Sequence, residues 1–432
     1  MENNALAMKK NVENATTETL NTALESIRCE CERLTLENVQ RAQRNLVGVI
    51  DETPIIYSDV FSEESGNEVY MKAENLQKTG AFKLRGAAHK IACLTEEEKA
   101  KGLIASSAGN HAQGVALAAT LAGAPSTIVM PLTTPLIKVE STKRFGADVV
   151  LHGSCYDDAY EKALELQAKD DLVFVHPFND IDVMAGQGTI ALEILEEHPD
   201  TDVLLVPVGG GGLISGIAYA AKQIKPDIKV YGVEPIGARA MQLSLEKKKL
   251  YELDIVNTIA EGVAVKKVGA LAFEIIPKYV DDILIVDDYD IMEAFLLLLE
   301  RHKLIAEAAG VLPLAGLKKL KEKNKKVVSV ISGGNIDVVN ISTMINKGLV
   351  SRGRVCCFTV DLPDRPGELL KISELLYKTN ANVVKLDHNQ FKTADRFKRV
   401  ILEVTIETNG HEHLTTIMNA LIGDGYIIKK IV

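Results

Sequence analysis

Apolar and polar positions along this chain change rhythm twice. From Thr16 to about Asn45, the residues Leu20, Leu24, Ile27, Leu34 and Val39 recur at roughly helical spacing, which predicts a helical lead-in behind a polar start. Short β-rich runs follow at Val69–Lys72, Thr127–Met130, Val149–Leu151, Val203–Val208, Lys229–Val233, Ile283–Val286 and Val327–Ile331. Helical stretches such as His111–Ala122 and Ile214–Gln223 lie between most of them. Near-continuous apolar strands alternating with helices are what parallel strands covered on both faces require. The expected fold class is α/β, with open twisted sheets that bind ligands at the carboxyl ends of their strands.

Near Ser351–Arg354 the rhythm becomes strand at Arg354–Leu362, turn at Asp364-Arg365-Pro366-Gly367 and helix at Glu368–Tyr377. Strands at Asn382–Phe391 and Phe397–Glu407, a helix at His413–Leu421 and a strand at Tyr426–Ile431 complete it. That order, βαββαβ, is ferredoxin-like. The expected division is residues 1–347, with two α/β subdomains, and residues 353–432, joined by the polar stretch Asn346–Arg352. No fixed-period repeat or low-complexity tract interrupts the pattern.

Composition narrows the function. With 432 residues, 47% hydrophobic and 25% charged, the chain has the balance of a globular protein of two or three domains. Its 49 Lys+Arg against 59 Asp+Glu leave a net charge of −10, which argues against nucleic acid or an anionic membrane as partner. No stretch approaches the roughly 18 apolar residues of a membrane span. The polar, acid-bearing Met1–Thr22 does not read as a signal or transit peptide. The six scattered cysteines match no zinc or redox spacing and read as reduced thiols of a cytoplasmic protein. Among nine histidines no two stand at ligand spacing on a clear helix, His411-Glu412-His413 reads as a solvated turn, and no metal site is expected.

Three glycine-marked loops carry the candidate chemistry. Gly209-Gly210-Gly211-Gly212-Leu213 joins a buried strand to a helix, so its amides and the helix N-terminus suit a phosphate. Two alternatives stand beside it: a dinucleotide site with Glu234 as the ribose acid, and a plain tight turn. The dinucleotide fingerprint fails at Ile214, where Gly or Ala belongs. Lys83, behind Phe82 and ahead of a small-residue helix, suits an amine whose pKa is lowered by burial, against the ordinary reading of a solvated lysine. In Ser106–Gly114, Asn110 and His111 are equally well read as a helix cap and its neighbour.

Taken together, the motifs resemble those of the fold type II pyridoxal phosphate enzymes, and most closely the threonine dehydratases. The matching elements are Phe82-Lys83-x-Arg85-Gly86, Ser107-Ala108-Gly109-Asn110-His111, the glycine tetrad and Ile331-Ser332-Gly333-Gly334-Asn335, in order across roughly residues 45 to 347. The C-terminal unit resembles an ACT domain, a module that commonly binds regulatory amino acids. The resemblance implies pyridoxal 5′-phosphate as cofactor, held by Lys83 as a Schiff base, with Gly209, Gly210, Gly211, Gly212 and Leu213 on its phosphate. It further implies Asn110 on the 3′-oxygen, Ser332 at the pyridine nitrogen, and Ser107, Asn110 and His111 on the substrate carboxylate. A serine rather than a carboxylate at the nitrogen leaves a weaker electron sink, which suits β-elimination over transamination.

The reaction so implied is deamination of L-threonine to 2-oxobutanoate and ammonia, regulated by a branched-chain amino acid through the ACT unit, in a dimeric or tetrameric homo-oligomer. An L-serine dehydratase, a threonine synthase and a non-catalytic amino-acid-binding regulator are the alternatives. Ala81 stands where relatives often carry Ser. Ala108 lacks the hydroxyl that serine racemases place opposite the lysine. The acid that would complete a cation site with Glu234 is missing, since Arg239 and Ala240 follow Ala238.

Overall fold

The computed structural model describes residues 25–388 and 399–431. The start of the expected lead-in and the inner ends of the strands expected at 382–391 and 397–407 lie outside these residues. The chain divides into two units. One holds the chain up to Ile291 together with Arg301–Ile336, and the other holds Met292–Glu300 and the chain from Asp337 on.

Ten strands belong to the first unit: β1 (Ile55–Ser58), β2 (Glu68–Ala73), β3 (Leu103–Ser106), β4 (Ser126–Met130), β5 (Asp148–Leu151), β6 (Val173–Phe174), β7 (Val203–Pro207), β8 (Lys229–Pro235), β9 (Asp282–Val286) and β10 (Lys326–Ile331). They form two sheets, β1-β2-β10-β7-β8-β9 and β5-β4-β3-β6. Every residue of β7 is buried, as an apolar run covered by helices on both faces must be. Only β1 runs antiparallel, to β2. The link between them, residues 59–67, is too short for the crossover of a dozen or so residues that a parallel pair needs.

The parallel order places the site. β10 lies between β2 and β7, parallel to both, with Ile331 level with Ala73. The loops leaving these neighbouring strands therefore emerge together at one edge. The lead-in is not one continuous helix: Thr35 accepts the amide of Asn38 and starts a new helix at Leu36–Leu46.

Behind the site, Arg85 is fully buried between the carboxylates of Glu74 and Glu193, and the equally buried Lys72 reaches Glu193 at 2.6 Å. The guanidinium's fork geometry lets it bond both acids at once.

In the second unit β11 (Val355–Pro363), β12 (Asn382–His388), β13 (Arg399–Glu407) and β14 (Ile427–Lys430) form an antiparallel sheet in the order β12-β13-β11-β14. Burial alternates along β11, so Cys356, Phe358, Val360 and Leu362 face a core with Ile372 and Leu376 of helix Glu368–Lys378 and Ile417 and Leu421 of helix His411–Gly423. This antiparallel α+β unit is consistent with an ACT domain. Two expectations change here. Residues 346–351 are no linker but the last turns of helix Val338–Ser351, with Met344 and Gly348 buried. His411 and His413 open a helix rather than a turn, and their Nε2 atoms lie 3.0 Å from Ser351 O and 2.6 Å from Thr379 O. Among the described residues no helix is long and apolar enough to cross a membrane.

Candidate active site

The loops after β2 and β10 are stitched together by backbone. Phe82 N–H donates to Ser332 C=O at 3.0 Å, Gly334 N–H donates to Gly80 C=O at 2.8 Å, and Ala81 bridges Gly333. The Lys83 motif and the Ser332 motif, far apart in sequence, are thus one structural feature.

Lys83 opens the helix Lys83–Ala92 and is half-buried. Its Nζ donates to Pro177 C=O at 2.7 Å. Loss of water around the amine lowers its pKa to about 8, with the Glu307 carboxyl pulling the other way. An amine so placed is partly unprotonated near neutral pH, as a nucleophile toward an aldehyde must be.

The tetrad follows β7 as predicted. Gly211 has φ +93°, the left-handed region that favours glycine, and is the N-cap of helix Gly212–Ile224. No side chain caps this helix, and its first backbone bond is Ser215 N–H to Gly211 C=O at 3.0 Å. The amides of Gly212, Leu213 and Ile214 therefore have no intrahelical partner and lie at the positive end of the helix dipole, where an anion fits. The glycines also answer to packing. A Cβ on Gly210 would fall 2.3 Å from the ring of Phe178. The tight-turn reading thus accounts for part of the tetrad, and the uncapped amides account for the rest. Glu234 is not free for a ribose: its carboxylate accepts the amides of Met241 and Gln242, both at 2.9 Å. Burial nevertheless pushes it up to about 8.

At the end of β3, Asn110 is the first residue of helix Asn110–Leu121, and Gly109, not Asn110, is its N-cap. Asn110 Nδ2 donates to Glu307 Oε1 at 2.7 Å, and Asn110 Oδ1 accepts from Asn335 Nδ2 at 2.9 Å. His111 Nε2 lies 2.8 Å from Val175 C=O, to which only an N–H can donate, and its Nδ1 has no partner. Burial, then the charge of Lys83, lower His111 to about 3, so the ring is neutral and Nδ1 carries no proton. Asn110 is thus bonded at both ends of its amide with one Nδ2 hydrogen left over, and His111 is bonded through Nε2 alone. The amides of Asn110 and His111 are uncapped and suit a carboxylate, since the first helical bond is Ala112 N–H to Gly109 C=O. Ser107 Oγ sits beside them, accepting from Gly109 N–H at 3.2 Å. Ser332 is buried.

The sequence pattern gave no sign of Glu307, which burial pushes up to about 7 against the Asn110 donor. Nor did it mark Pro177 and Phe178, between Lys83 and the tetrad. His89 in the Lys83 helix and Cys93 at its C-cap meet Asp182, so three ligand-type side chains converge where no two histidines could signal it. Asp182 is already paired with Lys90 at 3.0 Å, and Arg33 and Arg41 lie at 3.9 Å, a positive surrounding that disfavours a cation.

Uncapped amides at a helix start, a desolvated lysine amine and an asparagine donor beside the Lys83 motif fit a phosphate-bearing aldehyde. Residues 46–333 match the family model described as pyridoxal-phosphate dependent enzyme, and the chain belongs to that family. Its cofactor is pyridoxal 5′-phosphate, and its fold is the type II fold of these enzymes. Within the family the chain is similar to the L-threonine ammonia-lyase of Thermotoga maritima, 48% identical over 92% of this chain and 99% of that one. Among solved structures, threonine deaminase isoform 2 of Solanum lycopersicum is 37% identical with a TM-score of 0.68, over 76% of this chain and 93% of that one. Maize serine racemase is 35% identical with a TM-score of 0.69, over 73% and 98%.

Proposed function

We propose that this chain is a threonine ammonia-lyase that converts L-threonine to 2-oxobutanoate and ammonia. The observation that carries the reading is the convergence of the Lys83 amine with two sets of uncapped helix amides, on a chain similar almost end to end to an L-threonine ammonia-lyase. When bound, the cofactor supplies an electron sink for charge developing at the substrate α-carbon.

The residues divide the work. Lys83 would anchor the cofactor, and its free amine would take the substrate α-proton. The amides of Gly212, Leu213 and Ile214 hold the phosphate. The amides of Asn110 and His111, with Ser107, hold the substrate carboxylate, and such preset donors lower the barrier without reorganising. Ser332 faces the ring nitrogen. Threonine loses its β-hydroxyl as water, and hydrolysis of the resulting enamine consumes one water to give ketoacid and ammonia. Racemisation, the activity of the similar maize protein, needs a donor on the opposite face, and Ala108 has no hydroxyl to offer.

The second unit serves regulation: a branched-chain amino acid bound there biases the catalytic unit between two states. Its edge strands β12 and β14 leave backbone groups that suit pairing between copies in a homo-oligomer. The six cysteines are free, which suits a cytoplasmic setting. Purified protein supplied with the cofactor is assayed for ketoacid release from L-threonine, L-serine and O-phosphohomoserine, with and without isoleucine. Preference for threonine by kcat/KM is expected. No ketoacid from any of them sinks the reading, and a serine preference moves it to the serine dehydratases.

A further inference from the structure

An asparagine amide is two-faced: turned one way it donates, turned the other it accepts, and the two shapes are nearly the same. At Asn110 the choice is imposed from outside. The carbonyl of Thr79 can only accept, and Asn335 Nδ2 donates to it at 2.7 Å. The same nitrogen donates to Asn110 Oδ1 at 2.9 Å. With its oxygen engaged there, Asn110 turns Nδ2 the other way, where it donates to Glu307 Oε1 at 2.7 Å. One backbone carbonyl thus sets the direction of every bond in the chain from Asn335 through Asn110 to Glu307.

Asn335 is itself held in place. Gly80 has φ +71°, and a Cβ there would fall 2.5 Å from Asn335 Oδ1. The Gly80 turn also accepts the amide of Gly334, so the segment bearing Asn335 is tied to the one bearing Thr79. Asn110 Nδ2 in turn lies close to the Lys83 motif: a Cβ on Gly333 would stand 3.1 Å from both that nitrogen and Ala81 Cβ.

We propose that Asn335 is a positioning residue, orienting the Asn110 amide so that its donor nitrogen, not its oxygen, faces the Lys83 cleft. Nδ2 carries two hydrogens, and the bond to Glu307 uses one. The second is available to an oxygen of a bound molecule. A donor stabilises such an oxygen as it gains charge, whereas a flipped amide would repel it. The inference rests on the cleft being the cofactor site.

The test uses the full chain, stripped of cofactor and titrated with pyridoxal phosphate. Asn335→Asp keeps the shape of the side chain and removes both donors. Its expected result is cofactor affinity about tenfold weaker, with a shifted visible band, the scale of one or two lost oriented hydrogen bonds. Asn335→Ser keeps one hydroxyl donor and should fall between, and it replaces Asn335→Asp should that variant not fold. Asn335→Ala in an Asn110→Ala background should change affinity less than about twofold, because without the Asn110 amide Asn335 has nothing left to orient. Wild-type affinity and band in Asn335→Asp or Asn335→Ser overturn the proposal, as does a full additive loss in the double variant. Failure of the underlying reading looks different: the unsubstituted protein then gains no visible band.

Discussion

Lys83 Nζ donates to the carbonyl oxygen of Pro177 at 2.7 Å, a contact between the helix after β2 and the loop after β6. A carbonyl accepts from an ammonium and from a neutral amine alike, so the contact aims the amine without fixing its protonation. Burial then decides the balance and brings the pKa to about 8. Lys83→Ala should abolish both ketoacid release and the visible band that cofactor gives the wild type. A variant that keeps the band would remove Lys83 from its role.

The same shift fixes a pH profile. Only the unprotonated amine attacks an aldehyde, and the fraction unprotonated grows as pH rises through about 8. The rate at which the cofactor-free protein captures pyridoxal phosphate should therefore rise roughly tenfold per pH unit below that point and level off above it. Stopped-flow absorbance measures it. A rate independent of pH from neutrality to about pH 9 contradicts the desolvated amine.

Arg85 stands two residues from Lys83 and is fully buried, with Glu74 also fully buried against it. Arg85→Ala would strand the Glu74 carboxylate away from water. The expected cost is roughly 3–5 kcal/mol of stability, the range for removing one partner of a buried ion pair. Arg85→Lys should recover only part of it, because an ammonium cannot serve Glu74 and Glu193 with a fork of parallel bonds. Denaturant unfolding of the three proteins decides the order, and an Arg85→Lys protein as stable as wild type would discount the fork.

The apolar runs of β2, β4, β5, β7, β8, β9 and β10 announced themselves, while β1, β3 and the two-residue β6 were not among the expected runs. Lys83, the tetrad and Ser332 were visible because each sits in a glycine-rich motif just past a strand. Glu307 was not, since its partner Asn110 is 197 positions away and nothing local marks either as half of a pair. The partners of Asn110 and His111 within the protein, Glu307, Asn335 and Val175, are likewise distant in sequence, and nothing local marks them as partners. The polar residues at 346–352 looked like a linker because a helix buried on one face shows the same polar count as a loop. Met344 and Gly348, four apart, are the buried face that distinguishes them.

Phe178 tests the packing part of the glycine tetrad. A Cβ on Gly210 would meet three carbons of its ring at 2.3 to 2.5 Å, far inside contact distance. Gly210→Ala should therefore destabilise the protein by roughly 1–3 kcal/mol and weaken cofactor binding, as the loop shifts to make room. Adding Phe178→Ala removes the obstructing ring. The double variant should regain cofactor affinity relative to Gly210→Ala alone, although the ring's own packing is lost. Equal affinities in the two would mean that the ring does not set the loop's position.

Truncation tests the proposed regulation apart from catalysis, and the division into two units shows where to cut. The second unit takes Met292–Glu300 from the middle of the chain, and helix Val338–Ser351 lies against that segment, with Gly348 packed on Met292 and Leu296. A chain ending at Ile336 would strip that helix from Met292 and Leu296, both now buried, and should aggregate. A chain ending at Ser351 keeps the helix and loses the sheet β12-β13-β11-β14 with its two helices. It should retain threonine turnover within about twofold while losing any response to isoleucine or valine, since the element proposed to bind the effector is gone and the site residues are untouched. Turnover is measured against effector concentration for the full and shortened chains. An inhibition curve that survives the cut would place the effector site in the catalytic unit, and an unregulated full chain would leave the C-terminal sheet a role in assembly alone.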